Sequence, residues 1–327
     1  MEKTGGSRPP SGLRFFLKGS YGLVQTFSVF LLMFAAMAIF LPSFMTALNL
    51  INVLKQLAVN LIVAAGMTIV ILTGEFDISV GSVVCLTAVV VARLINVVGT
   101  IPAVIIGLCI GLAFGWLHGI IVTKGKIPSF ITTLGTSMIA RSLAFVVSDG
   151  KVIADIPDNF KVVGQQALFG VPYTLFFVIA VYVVGHVMLA YTPFGKKIYA
   201  VGTNRQAAML SGIRADRVKI IVFCIVGFLS ALGGILILSR MGAIQPYTAR
   251  GLEFDVIAAV VIGGTSLSGG QGSILQTIIG IFIIGMIRNA LNLSQINIFW
   301  QDFATGSIII VAVLLDAFRK RVSRRME

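Results

Sequence analysis

The sequence predicts an all-α integral membrane protein with about ten transmembrane helices and both termini in the cytoplasm. Three observations predict it. Of 327 residues, 57% are hydrophobic and only 11% charged, with a mean hydropathy of +1.00, where soluble domains carry about 25% charged residues. Ten apolar runs approach the ~20 residues that cross a bilayer. The basic residues fall between those runs, concentrated on alternate sides.

In chain order the runs are 23–41, 51–72, 80–99, 101–122, 127–147, 171–190, 219–239, 255–270, 273–291 and 301–316. The first follows a basic tail, as a signal peptide would. It is longer than a signal core and has no small-residue cleavage site after it, so it reads as a retained span. The third and fourth are divided by Gly99 to Pro102. The glycine-rich stretch 263–272 divides the eighth and ninth, which makes both short or broken.

Placing the N-terminal tail in the cytoplasm assigns 17 of the 25 Lys and Arg to inner segments. These are Lys3, Arg8, Arg14 and Lys18, then Lys124 and Lys126, six residues in 192–219, and five from Arg319 to Arg325. Only Lys151, Lys161, Arg240 and Arg250 lie outside. That is the positive-inside asymmetry, and an even span number puts both basic tails inside. The chain then divides into an N-terminal tail (1–20), one transmembrane domain (21–318) and a basic C-terminal tail (319–327). The net charge of +13 reads as membrane orientation and lipid contact, with no nucleic-acid partner. Lys55, Arg93, Arg141 and Arg288 fall within spans toward their outer ends. There a charge costs about 2.5–3.5 kcal/mol, and snorkelling to the interface is the expected remedy. The longest outer segment, 148–170, reads as a flap, a docking surface or a plain connector.

Glu75-Phe76-Asp77-Ile78 precedes the third span and Glu253-Phe254-Asp255-Val256 opens the eighth. Five spans separate them and they run in opposite directions, as in an inverted repeat with a substrate route at its interface. The alternative is that each acid simply caps a helix N-terminus, and Asp77 and Asp255 read as caps first. The stretch 263–272 contains the string LSGGQ, yet no GxxxxGK[ST] loop exists to cradle a nucleotide. It reads as a flexible turn between broken spans. Uncharged polar residues within spans, namely Asn60, Thr132, Thr133 and Ser137, hydrogen-bond neighbouring helices by default. They also suit a route for a hydroxyl-rich, uncharged solute. With Phe76, Asp77 and Ser79 of the first motif, Phe254 and Asp255 of the second, and Thr265 and Ser266 of the turn, they form the candidate pathway. His118 and His186 have no second ligand at metal spacing, the three cysteines lie in apolar runs, and no catalytic constellation is present. No metal, cofactor or enzymatic activity is expected of this chain.

The most informative segment is 192–219, a hydrophilic island between two spans. It holds six basic residues against the single acid Asp216, and Ala207, Ala208, Met209, Leu210 and Ile213 form a short helical apolar stripe. It reads as a cytoplasmic knob for docking a soluble partner.

Four blocks in order resemble the permease subunits of bacterial ABC importers for monosaccharides, the ribose-permease-like family. They are GEFDISVGS at 74–82, PSFITTLG at 128–135, TPFGKKIYAVGTN with AAMLSGI through 192–213, and LEFDVIAAVVIGGTSLSGGQGS at 252–273. The resemblance implies a multi-pass protein of the inner (plasma) membrane, paired with a second permease subunit, either identical or a paralogue. Two ABC ATPase subunits dock below, using ATP and Mg²⁺ that this chain does not bind, and an extracytoplasmic sugar-binding protein delivers cargo from above. It also implies a coupling helix of the pattern E-A-A-x-x-x-G. Gln206-Ala207-Ala208 with Gly212 fits that pattern except for glutamine at 206, so Arg205, Gln206, Ala207, Ala208, Leu210, Gly212 and Ile213 are the coupling candidates. The alternatives are the same architecture importing a nucleoside or a branched-chain amino acid, or an ion-coupled secondary transporter.

Overall fold

The structure is a computed structural model that describes residues 11–297, 299–308, 310, 311 and 314. The basic tail read at 319–327 and the first half of the N-terminal tail lie outside the described residues.

The chain forms α1 (Ser11–Phe40), α2 (Ala47–Leu72), α3 (Val80–Val98), α4 (Thr100–Thr123), α5 (Ser129–Ser148) and the short α6 (Asp158–Gln165). A two-residue hairpin of β1 (Ala167–Leu168) and β2 (Val171–Pro172) follows, then α7 (Tyr173–Tyr191), α8 (Pro193–Thr203) and α9 (Arg205–Leu210). The series closes with α10 (Ala215–Met241), α11 (Leu252–Ile262) and α12 (Ile274–Leu293), and residues 299–308 are again helical. Seven of these helices are long and apolar enough to cross a membrane: α2, α3, α4, α5, α7, α10 and α12. Nine of the ten predicted runs fall on helices, and the tenth, 301–316, is helical at its described residues; one run is corrected. The run 255–270 ends as helix at Ile262, so α11 has 11 residues and rises about 16 Å, half of a hydrocarbon core of about 30 Å.

Local chemistry sets the ends. Thr46 caps α2 by accepting from the Asn49 N–H, Pro128 and Pro172 precede α5 and α7, and Pro193 occupies the first turn of α8, where its missing N–H is no loss.

Helices α2, α3 and α10 form the buried centre, with α10 packed closely on α4. Gly107, Gly111, Gly115 and Gly119 of α4 are spaced four apart and buried. A Cβ on Gly227 of α10 would strike the Gly111 carbonyl, and one on Gly111 would strike that of Gly227. Small residues let membrane helices approach in this way.

The packing is also internally symmetric. α2 packs on α11 and α12, and α10 packs on α3 and α4, so exchanging α2–α4 for α10–α12 preserves the pattern. That exchange is what two similarly folded halves centred on α2 and α10 would give. The two Glu-Phe-Asp motifs are not equivalent, because the first is non-helical and the second lies in α11. In the segment 148–170, α6 is pinned to the end of α10. The Ser239 hydroxyl donates to the Phe160 carbonyl (2.6 Å) and accepts from the Gly164 N–H (2.8 Å).

Candidate functional site

Each half breaks after its central helix. After α2, residues 73–79 are non-helical, and after α10, so are 242–251. Both segments run beside α3. Glu75 is ion-paired with Lys219 near the N-terminal end of α10, while Val84 lies against Gly234, fifteen residues further along that helix, roughly 22 Å at 1.5 Å per residue. The segment 73–79 therefore climbs into the bilayer before α3 begins. From the other side, the Cys85 thiol meets the Pro246 carbonyl (3.4 Å) and the Glu253 carboxylate packs on Gly81. The two breaks meet near mid-depth.

Irregular backbone at that depth must find polar partners inside the protein, and one helix supplies most of them. Ser129, Thr133, Ser137 and Arg141 lie four apart along α5 and so share a face. The Ser129 hydroxyl accepts from the Phe76 N–H (3.2 Å) and the Thr133 hydroxyl from the Ile78 N–H (3.1 Å). Ser137 bonds Ser82 (2.9 Å). Arg141 donates one Nη to both the Pro246 (3.0 Å) and Thr248 (2.8 Å) carbonyls. A single polar stripe thus braces both breaks.

Behind it lies a buried trio. The Asp77 carboxylate accepts from the Ser79 N–H (2.9 Å) and hydroxyl (2.6 Å). Its other oxygen is 3.4 Å from His118 Nδ1, and His118 Nε2 bonds the Thr136 hydroxyl (2.7 Å).

Two expectations are corrected here. Arg141 and Arg288 do not snorkel: the first holds backbone carbonyls, and the second pairs with Asp255 through Nε (3.1 Å) and Nη2 (2.7 Å). Asp77 and Asp255 do not cap helices. Ser79 stands at the start of α3 with no side-chain cap, and Asp255 lies within the first turn of α11, which Gly251 precedes.

The structure brings Phe76, Asp77, Ser79, Thr133 and Ser137 together along the stripe. Thr132 is buried on the adjacent face of α5, and Asn60, partly buried on α2, joins no cluster. Phe254 is half exposed beside Asp255. It lines an outer cleft of about 900 Å³ with Tyr247, Arg288, Phe299 and Asp302. A second cleft, of about 580 Å³, lies between α7 and α10 and is lined wholly by apolar residues and Cys224, as suits a face turned to lipid. Ser129, Arg141 and His118 were missed as partners by sequence reasoning. The four-residue spacing from Ser129 to Arg141 was the available signal.

Thr265 and Ser266 are buried in the glycine-rich turn, at the end of the bundle that carries α8 and α9. There the Gly270 N–H donates to the Leu72 carbonyl (2.9 Å), and the Tyr199 hydroxyl of α8 donates to the Gly272 carbonyl (3.0 Å). Burial pushes the Tyr199 phenol above its usual range, so it remains a donor at neutral pH. Beneath the turn, α8 and α9 form the knob. The Asn204 side chain caps α9 by accepting from the Ala207 N–H (3.0 Å), and Arg205 pairs with Asp216 (2.9 Å). Ala208 is buried and Ile213 partly so, while Arg205, Gln206, Ala207 and Gly212 are exposed and Leu210 is 90% exposed. Gly212 ends the helix at φ +80°, where a Cβ is disfavoured. Among the described residues no group of three metal-ligating side chains comes together.

The profile of the family described as "Branched-chain amino acid transport system / permease component" matches residues 49–313. The chain belongs to this family. The permease is 42% identical over 301 residues to the ribose import permease protein RbsC of Bacillus subtilis, covering 90% of this chain and 94% of that protein. It is 38% identical over 311 residues to the ribose import permease protein RbsC of Escherichia coli K12, covering 94% and 97%. With the L-arabinose transport system permease protein AraH of the same organism, identity is 36% over 333 residues, covering 99% and 98%. No solved structure matches the permease.

Proposed function

We propose that the permease forms the membrane path of an ATP-driven importer for a monosaccharide, an aldopentose such as ribose or arabinose. The observation that carries this reading is 36–42% identity, over nearly full length, to proteins named as ribose and L-arabinose permeases. Two permease subunits face one another across the path. Two ATPase subunits bind ATP and Mg²⁺ beneath them, and an extracytoplasmic binding protein delivers the sugar.

The geometry supports a specific coupling route. Movement of a docked ATPase pushes the exposed face of α9. The knob is tied upward twice, by Lys219 to Glu75 in the inner break and by Tyr199 to Gly272 in the glycine-rich turn. Displacement therefore reaches 73–79 directly and, through the stripe on α5, reaches 242–251 as well. The two breaks are the elements that open and close the path.

The family description names branched-chain amino acids, which gives a second reading. The test is uptake of labelled ribose, arabinose and leucine by cells lacking their own systems and supplied with this permease, its ATPase and its binding protein. Concentrative pentose uptake that disappears without the ATPase is expected. Leucine uptake alone, or uphill uptake without the ATPase, overturns the reading.

A further inference from the structure

We propose that the outer cleft is a pentose-binding site within the permease itself, an inference that rests on the importer reading above. The cleft, of about 900 Å³, lies between the outer break, α12 and the helix at 299–308. It has ample room for one five-carbon sugar and its water.

Its lining fits a neutral polyhydroxyl ligand. Tyr247 and Phe299 are 58% and 76% exposed and offer aromatic surface for the C–H face of a sugar ring. Arg288 is fixed in direction by its two bonds to Asp255. Asp302 sits 3.8 Å from Arg288 Nη2 with its carboxylate 68% exposed, too far for a direct hydrogen bond. A hydroxyl both accepts and donates, so one seated between them accepts from Arg288 and donates to Asp302. The Thr305 side chain adds a further hydroxyl to the lining.

Charge argues the same way. Arg250 and Arg288 face Glu253 and Asp302, and Asp255 already neutralises Arg288. The lining itself, two guanidiniums against two carboxylates, carries no net charge, as suits an uncharged ligand. The cleft is also tied to the moving parts. Tyr247 lies between Pro246 and Thr248, whose carbonyls Arg141 holds, and its ring meets Phe145 of α5 edge-on at 4.8 Å. A sugar in the cleft touches the same segment that the stripe braces.

The experiment is initial-rate uptake of labelled ribose and arabinose by the complete importer in cells. It compares wild type with Asp302→Asn, Thr305→Trp and the lipid-facing control Trp116→Ala, each normalised to membrane abundance. The two sugars differ in hydroxyl orientation, so loss of a hydroxyl partner moves their ratio, whereas a folding defect lowers both alike. Thr305→Trp is expected to cut both rates about tenfold or more. Asp302→Asn should raise KM and shift the ribose-to-arabinose ratio about threefold or more, with Trp116→Ala unchanged. Pentose uptake by wild type with rates and ratio unaltered in both cleft variants overturns the site while leaving the importer reading intact. A wild type that imports leucine and no pentose overturns the importer reading, and the site with it.

Discussion

The carboxylate of Glu253 occupies the space that a side chain on Gly81 would need. A Cβ at position 81 would also lie 2.6 Å from the Ala249 carbonyl oxygen. One contact thus joins the first turn of α3 to the tip of the outer break, where the two halves of the fold meet inside the membrane. Glu253 can approach because position 81 carries no side chain.

Gly81→Ala is therefore expected to separate the two breaks. Backbone at Ala249 cannot yield as a flexible side chain would, so the outer segment must shift. Uptake should fall about tenfold or more with membrane abundance within about twofold of wild type. Gly135→Ala is the control, since a Cβ there meets nothing within 4 Å. Equal uptake in the two variants would count against a tight meeting of the breaks.

Arg141 reaches from α5 to two carbonyls of the outer break. Arg141→Met leaves both without that donor, at about 1–3 kcal/mol for each buried group stranded. The detergent-purified protein should melt several degrees lower and transport should be lost. Arg141→Lys retains a charged donor with three hydrogens and should recover part of both. A Lys variant no better than Met would mean that the guanidinium fork, rather than charge, is what the carbonyls require.

How much of this was legible in the residues follows from what they encode. The span positions, the knob and the broken character of the eighth run came from hydropathy and glycine alone. Polar partners did not. Ser129 reads as the ordinary start of a helix and Arg141 as a snorkelling charge, because a single run does not reveal which irregular backbone passes alongside it. The roles of Asp77 and His118 were hidden for the same reason, since they stand 41 positions apart and neither is at ligand spacing. The repeat was suspected from a four-residue motif whose copies fold differently. What the structure adds is a pattern of packing in which α2–α4 and α10–α12 exchange.

The ion pair between Glu75 and Lys219 is the shortest link from knob to break, with side chains only 14% and 11% exposed. Reversing one partner, as in Lys219→Glu, places two carboxylates together and strands both. Breaking a buried pair costs about 3–5 kcal/mol. Uptake should be abolished in Lys219→Glu and in Glu75→Lys alone, and return to at least a third of wild type in the double reversal. A double variant as inactive as either single one would show that the two residues do not act through each other.

Leu210 and Gly212 separate docking from folding in the knob. Leu210 exposes 90% of its surface, an apolar residue that no neighbour among the described residues covers. Leu210→Asp should leave α9 intact, because the side chain packs on nothing there, yet weaken capture of the ATPase subunit. Gly212 acts differently. At φ +80° a branched side chain is strained, and the turn that returns the chain through Ile213 to α10 would distort, at a cost of about 1–2 kcal/mol. Gly212→Val should therefore lower uptake while membrane insertion persists, and the ATPase should still co-purify in part. The measurement is co-purification in mild detergent beside uptake in cells. Leu210→Asp is expected to lose both, and Gly212→Val chiefly the second. If both variants take up sugar at the wild-type rate, α9 is not the lever through which the ATPase acts.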